Sequence, residues 1–319
     1  MTSVAFQGKS YEISEGQTVL DALLAAGQNI PNACRAGACG ACILRATSGE
    51  IPAESQVGLR DAWKARGCFH ACQCRPRADL VVEPLGDGMR VRGHITQREA
   101  LSASVARVRV ELAEPFEATA GQYVTIDRGG VARSFSIAAR HGDRTLELHV
   151  RRVAGGALSP YLCDEASPGD EVVVQGPLGS CVYVAGRPEQ PLLLAGTGTG
   201  LAPLWGVLHD ALAAGHTGLI HVFHGALDPD GLYLVDELTA LALSRPNVRY
   251  VPSVVRGAPP GMEAGPIDAV VGRHLPRTTG MRAFVCGAPD IVTALKKKIF
   301  LAGVALRDIA SDAFVPAAS

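Results

Sequence analysis

The chain has 319 residues, 47% of them hydrophobic and 19% charged, with a formal net charge of −1. That profile fits an ordinary folded chain long enough for two or three domains, and the lack of a basic field argues against nucleic acid as a partner. Of its nine cysteines, the five left once four are assigned to the motif described below, Cys68, Cys74, Cys163, Cys181 and Cys286, are an odd remainder with no framework of regular spacings, which favours a reducing compartment, the cytoplasm, over secretion. From the start, residues 2–13 alternate apolar and polar as two short strands, Val4 and Phe6 then Tyr11 and Ile13, around a turn at Gly8-Lys9. No positive segment followed by an apolar core opens the chain, so no signal peptide is expected. A short helix follows at 18–26, with Val19, Leu20, Leu23 and Leu24 as its apolar residues and Gly27 ending it.

The stretch CRAGACGAC at 34–42 sets three thiols in C-x4-C-x2-C, with Gly37 and Gly40 between them. This is the plant-type [2Fe–2S] spacing, which takes a distant fourth cysteine. Cys68, Cys72 and Cys74 are the candidates. A loop around a compact inorganic cluster turns tightly and aims backbone N–H groups at sulfide, and small residues permit both. A zinc knuckle would want paired C-x2-C units, which are absent. Together with HACQC at 70–74, the stretch resembles the plant-type ferredoxin modules of flavin-dependent oxygenase reductases. In that family the last ligand is the Cys directly before Gln. The resemblance therefore implies Cys34, Cys39, Cys42 and Cys72 as ligands and Cys74 as a neighbour, with His70 where an apolar residue is common. Strand signals return at Cys42–Ala46 and Leu80–Glu83, and a linker is expected near 84–90.

From Arg90 to about Arg187 the texture changes to short alternating strands: Val105–Leu112, Tyr123–Ile126, Ser134–Ala138, Leu146–Arg151 and Glu171–Gln175. Such a run favours a small antiparallel barrel over a sandwich. Within it Arg133-Ser134-Phe135-Ser136 resembles the R-x-[YF]-S phrase of the ferredoxin-reductase flavin barrel, and Gly121-Gln-Tyr-Val resembles the strand before it. The residue types suit the cofactor. A guanidinium meets pyrophosphate oxygens with a fork of donors, an aromatic ring packs on the flavin, and a serine hydroxyl reaches N5, where hydride arrives. The run Leu148 to Ser159 and the turn Gly176-Pro-Leu-Gly179 complete the likeness. It implies backbone of His149 and Val150 at the isoalloxazine rim and a cation at Arg151, with Arg152 an equal choice. It also implies a helix opened by Gly155, Gly156, Ala157, Leu158 and Ser159 with its amides toward phosphate. A ferredoxin module at the N-terminus resembles the FAD group, since the FMN relatives carry it at the C-terminus.

From Pro191 onward apolar strands (Leu192–Ala195, Leu219–Phe223, Val248–Val254, Ala283–Cys286) alternate with helix-like stretches (Pro203–Ala214, Leu234–Ala242, Ile291–Ala302). This alternation predicts a parallel sheet with helices on both faces. The uncharged run from Pro191 to His209 approaches the length of a membrane span, but Gly196, Gly198, Gly200 and Pro203 cut it into strand, turn and helix. It resembles the "GGGTGLAP" phrase of ferredoxin-reductase nucleotide domains, with Thr197 in place of a common Gly. The likeness implies Gly196, Thr197, Gly198, Thr199 and Gly200 against the pyrophosphate of a nicotinamide dinucleotide. Leu227, Asp228 and Asp230 follow the next strand, and carboxylates there would repel a 2′-phosphate, so NADH is expected. Cys286-Gly287 resembles the "CGxP" phrase, whose Cys lies near the nicotinamide C4 and positions hydride transfer; a core Cys ending a strand fits the same place. Ser311-Asp-Ala-Phe314 resembles the "ADAFY" terminus of the reductases, where Phe314 would cover the flavin or plug the core.

The resemblance covers about 1–315 and implies a multidomain α/β and all-β chain. Residues 1–88 would form a β-grasp plant-type ferredoxin, 89–187 an antiparallel β-barrel FAD domain and 188–319 a parallel-sheet NAD-binding domain. NADH would give a hydride to FAD at Ser136 and Cys286, and single electrons would leave through the [2Fe–2S] cluster. The partner implied is the terminal oxygenase component of an aromatic-ring dioxygenase, reached directly or through an intermediate ferredoxin. A phenol- or methane-type monooxygenase, a deoxysugar dehydratase or a redox-sensing cluster protein without turnover are the alternatives. A monomer with no membrane association is expected.

Overall fold

The computed structural model describes residues 2–86 and 89–316; Asp87 and Gly88, within the expected linker, lie outside them. In the first unit β1 (Thr2–Phe6) and β2 (Lys9–Ile13) pair as a hairpin. Its turn is Gln7-Gly8, one residue earlier than expected, and both residues take the positive φ, 50° and 77°, that a two-residue hairpin turn asks for. In α1 (Val19–Ala25) the Thr18 hydroxyl caps the N-terminus, accepting from the Asp21 N–H at 3.1 Å. Its apolar side packs on the sheet completed by β3 (Ile43–Ser48), the short α2 (Asp61–Ala65), β4 (Cys68–His70) and β5 (Leu80–Pro84). The order β2-β1-β5-β3-β4, with β1 and β5 parallel at the centre, is a β-grasp sheet.

The second unit comprises β6 (Arg90–Ala100), β7 (Val105–Leu112), β8 (Tyr123–Arg128), β9 (Val131–His141), β10 (Thr145–Arg151) and β11 (Glu171–Leu178). They close into an antiparallel barrel in the order β10-β7-β6-β11-β8-β9, filled by Ile95, Val108, Val124, Ile126, Ile137 and Leu148. Strand β6 is absent from the sequence reading because only Val91 and Ile95 are large apolar residues in RVRGHITQREA, too few for a clear alternation. The helix expected after Gly155 to Ser159 is a short π-helical stretch over Tyr161–Glu165, tied down because Arg98 donates to the carbonyls of Cys163 and Ala166.

The third unit begins with β12 (Leu192–Thr197), α3 (Leu201–Ala213), β13 (Ile220–Ala226), α4 (Val235–Ser244) and β14 (Val248–Val254). It continues through β15 (Glu263–Ala264), α5 (Ile267–His274), β16 (Arg282–Gly287), α6 (Pro289–Leu301) and β17 (Ile309–Ala313). The sheet is parallel throughout, ordered β15-β14-β13-β12-β16-β17. Alternation decides the two layers: Leu192 and Leu194 pack with α3 and α4, Leu193 and Ala195 with α5 and α6. The uncharged run at 191–209 is indeed split between β12 and α3, and among the described residues no helix is long and apolar enough to cross a membrane.

One strand ties the units together. On β9, Val131, Phe135 and Ile137 belong to the barrel core, while the opposite face presents Ala132, Ser134, Ser136 and Ala138. Ala132 packs with Ala33, Ala41 and Cys39 of the cluster loop, and Ser134 donates to the Cys39 carbonyl at 2.6 Å. Ser136 meets β17, and Ala138 backs onto α3 at Gly206, where a Cβ would press on Ala120 and the Ala138 carbonyl.

Candidate electron-transfer site

The cluster loop leaves α1 and returns as β3. Its four proposed ligands come together as two pairs, Cys34 with Cys39 and Cys42 with Cys72, the thiols of each pair close enough to influence each other. Within each pair the neighbouring thiol pushes one member down, Cys34 and Cys72, and the other up, Cys39 and Cys42. Backbone amides point inward at sulfur: Ala36 and Cys39 N–H to Cys34 Sγ at 3.4 and 3.3 Å, and Cys34 N–H to Cys39 Sγ at 3.5 Å. Gly37 and Gly40 have φ of +70° and +72°, and a Cβ on them would overlap Gln73 and Leu178. Among the described residues no three His, Cys, Asp or Glu side chains converge on a single ion. Two thiol pairs and inward amides fit a two-iron cluster instead.

The other candidates for the fourth position face away. Cys68 lies 3.9 Å from Met89 Sδ, and burial pushes its thiol up to about 11. Cys74 is fully buried in the β-grasp core and pushed up to about 12 by burial. His70 is buried with Nδ1 unpartnered and is held neutral by burial, down to about 4, which explains how it occupies an apolar site.

In the barrel the ladder between β9 and β10 stops at Ile137–Leu148, next to a bulge. Beyond it His149, Val150 and Arg151 pair only with β7, and residues 131–136 pair only with β8. An open seam with unpaired backbone groups on both lips fits the rim of a flat heterocycle. Around it stand Phe135, half-buried, Arg133, whose Nη1 donates to the Ala132 carbonyl at 2.7 Å, and Ser136. Arg152 is taken by Asp164 at 2.5 Å, whereas an Arg151 guanidinium nitrogen lies 3.9 Å from where a Cβ on Gly198 would stand. Arg151 is thus the cation between the barrel and the glycine turn. Gly155 has φ of +69°, and Ser159 Oγ accepts from the Val153 N–H at 3.1 Å, closing the 153–159 turn around Gly156 and Ala157 while Leu158 enters the core.

Across the seam lies the edge of the parallel sheet where β12 and β16 end. A Cβ on Gly200 would collide with the Cys286 carbonyl, and one on Gly287 with Thr197 Oγ1, so the 196–200 turn and Cys286-Gly287 are pressed together. His224 Nε2 donates to the Gly198 carbonyl at 3.1 Å, which fixes its tautomer; burial lowers it to about 4, and Nδ1 is left unpartnered. Cys286 is fully buried, its Sγ 3.4 Å from Cys181 Sγ, and burial keeps it a thiol. Phe314 is half-buried after β17, its N–H donating to the Gly287 carbonyl at 2.8 Å.

Three features of this region escape the sequence reading. Asp312, inside the Ser311–Phe314 phrase, accepts a hydrogen bond from Ser136 Oγ at 3.3 Å, and burial pushes its carboxyl up to about 6. A carboxylate amid the apolar residues of β17 was the available signal. Glu147 is buried between Arg107, Arg109, His141 and His149, at 3.0 to 3.3 Å. Burial pushes this carboxyl up, but its hydrogen bonds to His149, His141 and Arg109 outweigh that and hold it below the usual range. His149 Nε2 donates to Glu147, so its Nδ1 accepts from the Tyr233 hydroxyl at 3.1 Å, joining the barrel to the nucleotide unit. The third feature is a row of donors, Tyr123, Thr125 and Gln175, that meets the cluster loop.

A cluster loop, a barrel seam and a glycine turn set side by side define an iron–sulfur flavoprotein oxidoreductase that draws on a nicotinamide dinucleotide. Three family models match in the same order: a 2Fe-2S iron-sulfur cluster binding domain at 4–77, an oxidoreductase FAD-binding domain at 92–183 and an oxidoreductase NAD-binding domain at 194–297. The chain is 35% identical to the reductase subunit of an aromatic O-demethylase from Amycolatopsis sp., over 99% of both chains. It is 33% identical to the ferredoxin–NAD(P)(+) reductase component of the naphthalene 1,2-dioxygenase/salicylate 5-hydroxylase systems of Ralstonia sp., over 94% of both. Among solved structures it is similar to an Amycolatopsis cytochrome P450 reductase, with TM-score 0.71, 31% identity and 99% of both chains covered. The chain belongs to the ferredoxin–NAD(P)H reductase components of oxygenase systems that carry an N-terminal 2Fe-2S domain. It is an electron-transfer reductase that oxidises NADH through FAD and a [2Fe–2S] cluster.

Proposed function

We propose that this reductase serves an aromatic-ring-hydroxylating dioxygenase, with the oxygenase or an intermediate ferredoxin as its direct acceptor. The observation that carries the reading is the 33% identity over 94% of both chains to the reductase component of the naphthalene 1,2-dioxygenase/salicylate 5-hydroxylase systems, and the outer face of β9, which touches the cluster loop at Ser134 and the nucleotide unit at Ser136, supports the electron path. When bound, FAD would supply hydride acceptance from NADH and release of single electrons, and Cys34, Cys39, Cys42 and Cys72 would hold the [2Fe–2S] cluster that takes one electron at a time.

The chain's own residues orient these groups. Arg133 and Arg151 supply cations to pyrophosphate, Phe135 packs on the flavin, and backbone of His149 and Val150 meets its rim. Gly155, Gly156, Ala157, Leu158 and Ser159 shape the turn beside it. Gly196, Thr197, Gly198, Thr199 and Gly200 let the dinucleotide approach backbone closely, and Cys286 and Gly287 border the nicotinamide. Ser136 aims its hydroxyl where hydride arrives, with Asp312 orienting it and able to hold a proton. Phe314 covers the flavin until the nicotinamide displaces it. Supporting a cytoplasmic monomer are five cysteines beyond the four proposed cluster ligands, none of them in a disulfide, and three units that cover one another's apolar faces.

A second reading is favoured by the full-length likeness to the reductases of an O-demethylase and of a cytochrome P450: the acceptor is a P450. Reconstitution decides. NADH consumption coupled to cis-dihydrodiol formation by a dioxygenase component is expected; coupling only to a P450 would overturn the first reading in favour of the second.

A further inference from the structure

Three consecutive carbonyls of the cluster loop are held by side chains of the barrel. Tyr123 Oη donates to Ala38 O at 2.7 Å, Thr125 Oγ1 and Ser134 Oγ donate to Cys39 O at 2.9 and 2.6 Å, and Gln175 Nε2 donates to Gly40 O at 2.6 Å. The last three donors form one row across the barrel, because Thr125 stands opposite Ser134 on β9 and opposite Gln175 on β11. Thr125 and Gln175 are buried, so losing the loop would strand desolvated polar groups. Around them Leu178 and Tyr123 pack with Ile43, Trp63 and Met89, so the contact is dry.

Two details give the contact a direction. The peptide joining Ala38 and Cys39 accepts from Tyr123 at its carbonyl and donates through its N–H to Cys34 Sγ at 3.3 Å. A hydrogen bond at one end of an amide strengthens the one at the other end, and hydrogen bonds to cluster sulfur favour the more negative, reduced form. Ser134 and Ser136 also project from the same face of β9, two residues and so about 7 Å apart. The Cys39 carbonyl therefore lies one pleat from the hydroxyl that meets Asp312.

We propose that this clamp is the internal contact through which electrons pass from flavin to cluster, that Cys39 is the receiving ligand, and that Tyr123 is a positioning residue which raises the cluster's reduction potential through the 38–39 peptide. The proposal rests on the electron chain stated above. Each transfer moves one electron, oxidising the flavin by one equivalent and reducing one ferric ion, with no bond made or broken.

The test is anaerobic rapid mixing of the holoenzyme with NADH, for wild type, Tyr123→Phe, Thr125→Val and the conservative Thr125→Ser. An EPR-monitored redox titration and amide hydrogen exchange over 36–42 accompany it. Flavin bleaching is expected at the wild-type rate in every variant. Cluster reduction slows about tenfold in Tyr123→Phe and Thr125→Val, the scale of one lost hydrogen bond, and recovers in Thr125→Ser. The cluster midpoint falls in Tyr123→Phe, and amides 36–42 exchange faster in both slowed variants. Wild-type cluster reduction in both, or an unchanged midpoint in Tyr123→Phe, overturns the proposal. If NADH failed to bleach the flavin of the wild type, the reductase reading itself would fall instead.

Discussion

The two ends of the electron path are built in opposite ways. At the cluster, three of four proposed ligands lie within nine residues, and the loop's own glycines and amides shape the cradle. At the hydride end, Ser136, Cys286 and Asp312 come from three strands in two units, and nothing local relates them. A site made by one loop depends on its own covalent spacing, whereas a site made between units depends on how those units dock. The first should break outright when a ligand is lost. The second should degrade by degrees.

The largest effect is therefore expected at the cluster. Cys72→Ser should remove the [2Fe–2S] EPR signal and abolish electron delivery to the oxygenase, while NADH-driven ferricyanide reduction, which needs only the flavin, persists. Retention of the EPR signal would mean that Cys68 or Cys74 is the fourth ligand. At the hydride end, Asp312→Asn replaces a charge-assisted hydrogen bond to Ser136 with a neutral one. Flavin reduction by NADH should slow by roughly 10- to 100-fold. The wild-type rate should fall as pH drops through about 6, where the Asp312 carboxyl takes up a proton, and this inflection should vanish in the variant. A pH profile identical in the two proteins would remove Asp312 from the site.

Docking of the units is probed by Glu147→Gln. Leaving Arg107 and Arg109 without their carboxylate should cost about 2–3 kcal/mol in urea unfolding, less than a fully buried pair because both arginines keep some solvent contact. The Glu147 carboxyl is held below its unfolded value, so its contribution is complete above the ordinary carboxylate range and is lost as pH falls below it. The stability gap between the two proteins should accordingly close in acid. The smallest effect concerns coenzyme choice. Wild type should show the higher kcat/KM with NADH, and Asp228→Ser combined with Asp230→Ser should narrow the preference about tenfold by removing repulsion of the 2′-phosphate. A wild type that prefers NADPH would contradict the role given to these carboxylates.

What could be read from the sequence follows the same division. The cysteine spacing, the glycine turn at 196–200 and the strong apolar runs of β12, β13, β14 and β16 are local signals, and each appears where its residues place it. Strands β6 and β17 are weakly periodic and form because neighbours complete their burial, so no window of sequence marks them, whereas helix α5 carries Ile267, Val270 and Val271 at helical spacing, a signal that was there to be read. Polar contacts between units were the other blind spot. Ser134 reads as a flavin residue from its phrase, yet its hydroxyl points to the cluster loop, and Thr125 and Gln175 belong to no phrase at all. Their only trace is polar residues spaced two apart on strands whose other face is apolar, a pattern that equally describes a wet surface.

The most direct test is freeze-quench EPR after mixing the holoenzyme with one equivalent of NADH at two protein concentrations. The cluster signal should rise after the flavin has bleached, with a rate that does not depend on protein concentration, because the donor is in the same chain. A rate proportional to protein concentration, or no cluster signal at all, would show that flavin and cluster do not form one internal path.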